Sequence, residues 1–171
     1  MDSPYFSERL LLWQPFFITV AGVSGTLVGL LFMSLSLNRE QITAAENRRL
    51  FRLARRSFSD FLYVLLIALF FLIPLQNGHH LGTELLVLGA FRVRLFFAQI
   101  WSVATGQKPA LLDLVWEYVL PVLATVGLVI AGVQMYEGEI ITVHYFVVPV
   151  IATLLVTACS KAWQLLIMEK K

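Results

Sequence analysis

Charged residues are scarce in this sequence of 171 residues: Asp, Glu, Lys and Arg make up 14% of it, against about a quarter in a soluble globular domain. The shortage runs along the whole chain. That excludes a water-solvated domain, or a soluble domain with one anchor, as the expected architecture and leaves a lipid-solvated bundle. Cysteine is nearly missing too. The single residue Cys159 excludes an internal disulfide and a multi-cysteine metal site, and in its apolar run it reads as a small packing residue. No basic n-region opens the chain. Asp2 and Glu8 stand where a cleavable signal peptide carries positive charge, and the apolar stretch that follows outlasts an h-region. Nucleophile elbow, phosphate loop, HExxH helix and dinucleotide fingerprint are all absent. The expectation is a protein that is not an enzyme and needs neither cofactor nor metal.

What the sequence does have is apolar length. Hydrophobic residues make up 58% of it and gather into five stretches, at 16–37, 58–75, 81–101, 111–134 and 142–168. At ~1.5 Å per residue the first covers about 33 Å, enough for a bilayer core. The expected fold is all-α, a polytopic transmembrane helical bundle of about five spans that forms a single domain over 1–171. Four spans are the alternative, with the third stretch re-entrant or interfacial, because it carries Arg92 and Arg94. The run Gln76-Asn77-Gly78-His79-His80, after Pro74, signals the reversal between the second and third stretches.

Orientation follows from lysine and arginine. The loop at 38–57 holds Arg39, Arg48, Arg49, Arg52, Arg55 and Arg56, and five spans put Lys108, Lys170 and Lys171 on the same side. The other side has Arg9, with Glu137 and Glu139 in its last loop. The positive-inside rule then places the N-terminus outside and the C-terminus in the cytoplasm. Aromatic borders agree: Trp13, Tyr136 and Tyr145 fall at the outer interface, Trp101, Trp116 and Trp163 near the inner one. Thr43-Ala44-Ala45-Glu46 matches a capping box. After it the arginines recur at helical spacing, which predicts a basic cytoplasmic helix on the inner leaflet or leading into the second span. Arg48, Arg49, Arg52, Arg55 and Arg56 are its candidate contacts with anionic lipid headgroups. Nucleic acid is not an expected partner, because beside a span such arginines meet lipid first.

Two groups of residues stand out as candidate functional features. In the first stretch, Ala21, Gly25 and Gly29 recur every four residues, with Gly22, Ser24 and Thr26 beside them and Ser34, Ser36 and Asn38 at the inner end. Small residues at that spacing let helix backbones approach closely; in an oligomer the hydroxyls could instead wet a pore. The second group is charge within the apolar stretches: Asp60, Arg92, Arg94, Asp113, Glu117 and Lys161. An unpaired arginine at that depth costs at least about 2.5–3.5 kcal/mol, so a network of ion pairs is expected. A hairpin turning near Thr105–Gly106 pairs Arg94 with Glu117. His79 and His80, with Glu84 a turn on, read as a solvated turn, since three scattered ligands lack a metal-site spacing, and His144 near Glu137 and Glu139 reads the same way.

Three segments together resemble a family of small bacterial membrane proteins, sometimes labelled modulators of the FtsH membrane protease. They are Ala21-Gly22-Val23-Ser24-Gly25 through Leu35-Ser36-Leu37-Asn38, then Leu81-Gly82-Thr83-Glu84-Leu85-Leu86-Val87-Leu88-Gly89, and Ala162-Trp163-Gln164-Leu165-Leu166-Ile167-Met168-Glu169. The resemblance implies a multi-pass protein of the bacterial inner membrane and supplies no catalytic residue. The expected function is a non-enzymatic scaffold or regulator that forms a homo-oligomer or binds a membrane or cytoplasmic protein partner. The alternative is an oligomeric ion channel lined by the first span.

Overall fold

The computed structural model describes residues 4–37, 48–74, 77–104, 119–138 and 140–168. Among them the chain forms five helices and no strand: α1 (Pro4–Leu37), α2 (Arg48–Leu72), α3 (Gly78–Ala104), α4 (Leu120–Glu137) and α5 (Ile140–Met168). Three segments, Leu10–Leu37, Leu120–Glu137 and Tyr145–Leu165, are long and apolar enough to cross a membrane, which marks a membrane protein. Charge interrupts the other two helices, at Arg55, Arg56 and Asp60 in α2 and at Glu84, Arg92 and Arg94 in α3.

Helix ends differ from the apolar borders because hydropathy reports the solvent, whereas a helix continues wherever its hydrogen bonds do. α1 starts well before Phe16, at Pro4, where a proline in the first turn loses no helical bond. The arginine segment from Arg48 is continuous with the second apolar stretch, as one helix of 25 residues. The proposed capping box at 43–46 lies outside the described residues. His79 and His80 belong to the first turn of α3 rather than to a loop. The Leu81 N–H bonds the Asn77 carbonyl (3.1 Å) and the Thr83 hydroxyl bonds the His79 carbonyl (2.8 Å). The fourth helix is described from Leu120, with Pro121 in its first turn; 111–118 lie outside the described residues. It ends at Gly138, whose φ of 88° is the left-handed conformation glycine adopts readily. That turn folds α5 straight back along α4.

Packing runs in the order α1, α2, α5, α4, α3, while α3 and α2 meet over a much shorter stretch. α1 and α2 are antiparallel: Phe17 stacks on Phe71 with ring centres 4.2 Å apart, and Gly25 lies against Leu65. α3 and α4 are antiparallel too, with Gly82 at Tyr136, Gly89 at Val129 and Arg92 at Thr125. Lipid tails are as apolar as leucine, so van der Waals fit, not expulsion from water, holds such helices together. Small residues set that fit. A methyl group on Gly82 would lie 2.6 Å from the Tyr136 backbone nitrogen, and one on Gly132 2.9 Å from the Leu86 side chain.

Candidate functional site

Helical phase carries three charges into the interior. On α2 the buried positions Ser57, Asp60, Val64, Ile67 and Phe71 recur every three or four residues, so Asp60 shares the face that meets the bundle. On α3 the corresponding row is Leu81, Leu85, Leu88 and Arg92, and on α5 it is Val150, Leu154, Thr157 and Lys161. Arg94 lies two residues beyond Arg92, about 200° around the helix, and is exposed. It therefore points away from the cluster that Arg92 enters. Asp113 and Glu117 lie outside the described residues.

The three charges meet on one carboxylate. Asp60 accepts from Arg92 Nη2 at 2.6 Å through Oδ1 and from Lys161 Nζ at 2.7 Å through Oδ2. The residues are only 4%, 6% and 4% exposed for Asp60, Arg92 and Lys161. Arg92 is held further. Its Nε donates to the Thr125 hydroxyl at 3.1 Å, and that hydroxyl donates to the Pro121 carbonyl at 2.7 Å. Its guanidinium lies 4.6 Å from the centre of the Tyr63 ring, a cation–π contact. One turn before Asp60, the Ser57 hydroxyl donates to the Ala158 carbonyl at 2.8 Å and ties α2 to α5. Four helices thus converge here, about 8–10 Å from the start of α4 and the end of α5.

Ion pairs removed from water gain much of their strength from geometry and saturation of donors, and breaking one is costly because the orphaned charge stays buried. The cluster joins α2 to α3, which otherwise meet over a short stretch. Thr125→Val tests its periphery. Losing the acceptor of a charged donor is expected to lower stability by about 1.5–3 kcal/mol, read as the midpoint of thermal unfolding in detergent.

The small residues of α1 divide between two sides. Ser24 is buried, its hydroxyl bonded to the Val20 carbonyl at 2.7 Å; Ala21, Gly25 and Ser34 are half-buried. Thr26, Gly29 and Ser36 face outward, and Asn38 lies outside the described residues. Phase reveals a set that repetition every four residues hides: Thr19, Gly22, Thr26, Gly29, Met33 and Ser36, spaced alternately three and four apart, are all exposed. Among the arginines of α2, Arg52 and Arg55 are exposed and Arg56 is half-buried; Arg48 and Arg49 begin the helix. Sequence reasoning did not pick out Thr125, Tyr63 or Ser57; the spacing of Ser57 and Asp60 on one stripe was the available signal. Among the described residues no three His, Cys, Asp or Glu side chains converge as metal ligands. Compared with known protein families, with characterised proteins and with solved structures, the chain matches none.

Proposed function

We propose that this protein is a non-enzymatic scaffold or regulator of a bacterial inner membrane that self-assembles through the outward face of α1. In this reading five helices span, the N-terminus is outside, and the arginine end of α2 is cytoplasmic. The observation that carries it is the exposed seam of α1. A methyl group added to Gly22 or Gly29 would meet nothing within 4 Å, whereas Gly82, Gly89, Gly127 and Gly132 are filled by neighbouring helices. The glycines packed most closely in the bundle are thus on α3 and α4, and Gly22 and Gly29 of α1 are free for a helix from another chain. Alternate spacing of three and four is the period of left-handed helix pairs crossing near 20°. The Thr19 and Thr26 hydroxyls already donate to the Pro15 and Gly22 carbonyls, each at 2.8 Å, so the seam brings no stranded donor into a helix contact.

The resemblance to small membrane proteins labelled as protease modulators fits a regulatory role. Exposed Arg52 and Arg55 would meet anionic headgroups and hold α2 at the inner leaflet. The pore alternative is less well supported, since the polar residues of α1 do not share one face: Ser24 turns inward.

The test is the pair Gly22→Leu and Gly29→Leu, followed by energy transfer between labelled copies in detergent and in liposomes. Association should weaken at least about tenfold, or ~1.4 kcal/mol, with the unfolding midpoint of the single chain unchanged. Association equal to that of the parent chain refutes the reading. Channel recordings on the same preparations decide the alternative, which requires conductance that the two leucines abolish.

A further inference from the structure

The Asp60 cluster is unbalanced. Among the described residues it contains one carboxylate and two cations, all nearly inaccessible. An excess positive charge within a membrane bundle is costly without a counter-charge. Each Asp60 oxygen already serves one cation, so this carboxylate neutralises one charge and leaves the other. Tyr63 gives a second, independent sign. It is 5% exposed, and its hydroxyl is buried without a hydrogen-bond partner. The great majority of buried hydroxyls are bonded. Tyr63 stands one turn from Asp60 on α2, and its ring lies against the Arg92 guanidinium. An unused donor therefore sits beside two cations that share one carboxylate among the described residues.

We propose that Arg92, Lys161 and Tyr63 form an anion site that takes one phosphate group, with Asp60 holding the two cations in place. The guanidinium and ammonium supply charge-assisted donors, and the phenol adds a neutral one. Phosphate chemistry suits the site because a tetrahedral oxyanion can accept from donors arriving from α2, α3 and α5 together. The group belongs to an anionic lipid head or is free inorganic phosphate, and the two sources are separable by experiment.

Purified full-length protein is placed in nanodiscs of zwitterionic phosphatidylcholine, and its thermal midpoint is followed by tryptophan fluorescence. One arm adds inorganic phosphate; the other replaces part of the lipid with phosphatidylglycerol in phosphate-free buffer. At a hundredfold excess over Kd the midpoint should rise by about 5–10 °C in at least one arm. A rise with phosphate alone identifies the free anion, and a rise with phosphatidylglycerol alone the headgroup. Lys161→Met, which leaves the neutral Asp60–Arg92 pair, should remain folded and lose the rise. Tyr63→Phe should weaken the affinity about tenfold. The proposal is overturned if neither arm raises the midpoint, if Lys161→Met responds like the parent, or if a rise appears only once Asp113 and Glu117 are neutralised as Asn and Gln. The last result would identify a side-chain carboxylate as the counter-charge.

Discussion

Asp60→Ala is expected to lower stability by about 3–5 kcal/mol, a fall of about 6–20 °C in the unfolding midpoint. The reason is asymmetry. Arg92 and Lys161 each lose their partner at once, and neither can swing into water without leaving a face on which the neighbouring positions are buried. Arg92→Met and Lys161→Met should each be milder, because each leaves a neutral pair on Asp60. The triple variant Asp60→Leu, Arg92→Met, Lys161→Met should recover most of the parent's midpoint, since apolar side chains of similar volume replace buried ion pairs at little loss. A single Asp60→Ala change that left the midpoint within about 2 °C would mean that water reaches the cluster freely. Thermal scans of the four variants in one detergent give the whole comparison.

A methyl group at residue 82 should be nearly as disruptive. In Gly82→Ala the new carbon would lie 2.6 Å from the Tyr136 nitrogen and 3.0 Å from both the Gly132 oxygen and the Tyr136 Cα. These are backbone atoms, so no rotamer change relieves the clash, and α3 must move away from α4. A loss of about 1–3 kcal/mol is expected, and more for Gly82→Leu. Gly89→Ala should cost less, because the atom it meets closest, at 2.9 Å, is a Val129 methyl that can shift. Gly29→Ala is the control. With open space around it, it should raise the single chain's stability by up to about 1 kcal/mol through helix propensity alone. Unfolding midpoints at fixed detergent concentration rank the three, and equal effects at 82 and 29 would contradict the close α3–α4 approach.

The all-helical architecture and the rough positions of the five helices were legible because long apolar runs have one solution in lipid: a helix that satisfies its own backbone. The row Leu81, Leu85, Leu88, Arg92 was also present in the sequence, and phase alone would have favoured Arg92 over Arg94 as the inward charge. Hairpin reasoning joined Arg94 to Glu117, which lies outside the described residues, and by considering only neighbours in sequence it did not reach the Asp60 cluster. The contacts that form the cluster cross 32 and 101 residues, and no local pattern specifies which helices pack side by side. The same limit applied to α1. Its glycines were visible, but whether they faced the bundle depended on α2 packing against Phe17 and Gly25 rather than against Gly22.

The distance in sequence between Asp60 and Lys161 has a consequence for biosynthesis. α2 is made long before α5 leaves the ribosome. At about 5–20 residues per second, the 101 positions separating the two residues amount to a delay of about 5–20 s. For that interval a half-finished chain carries an acid that Arg92 can engage but Lys161 cannot. A chain that stalls before its last helix therefore keeps Asp60 without one of the two cations it pairs with in the finished bundle.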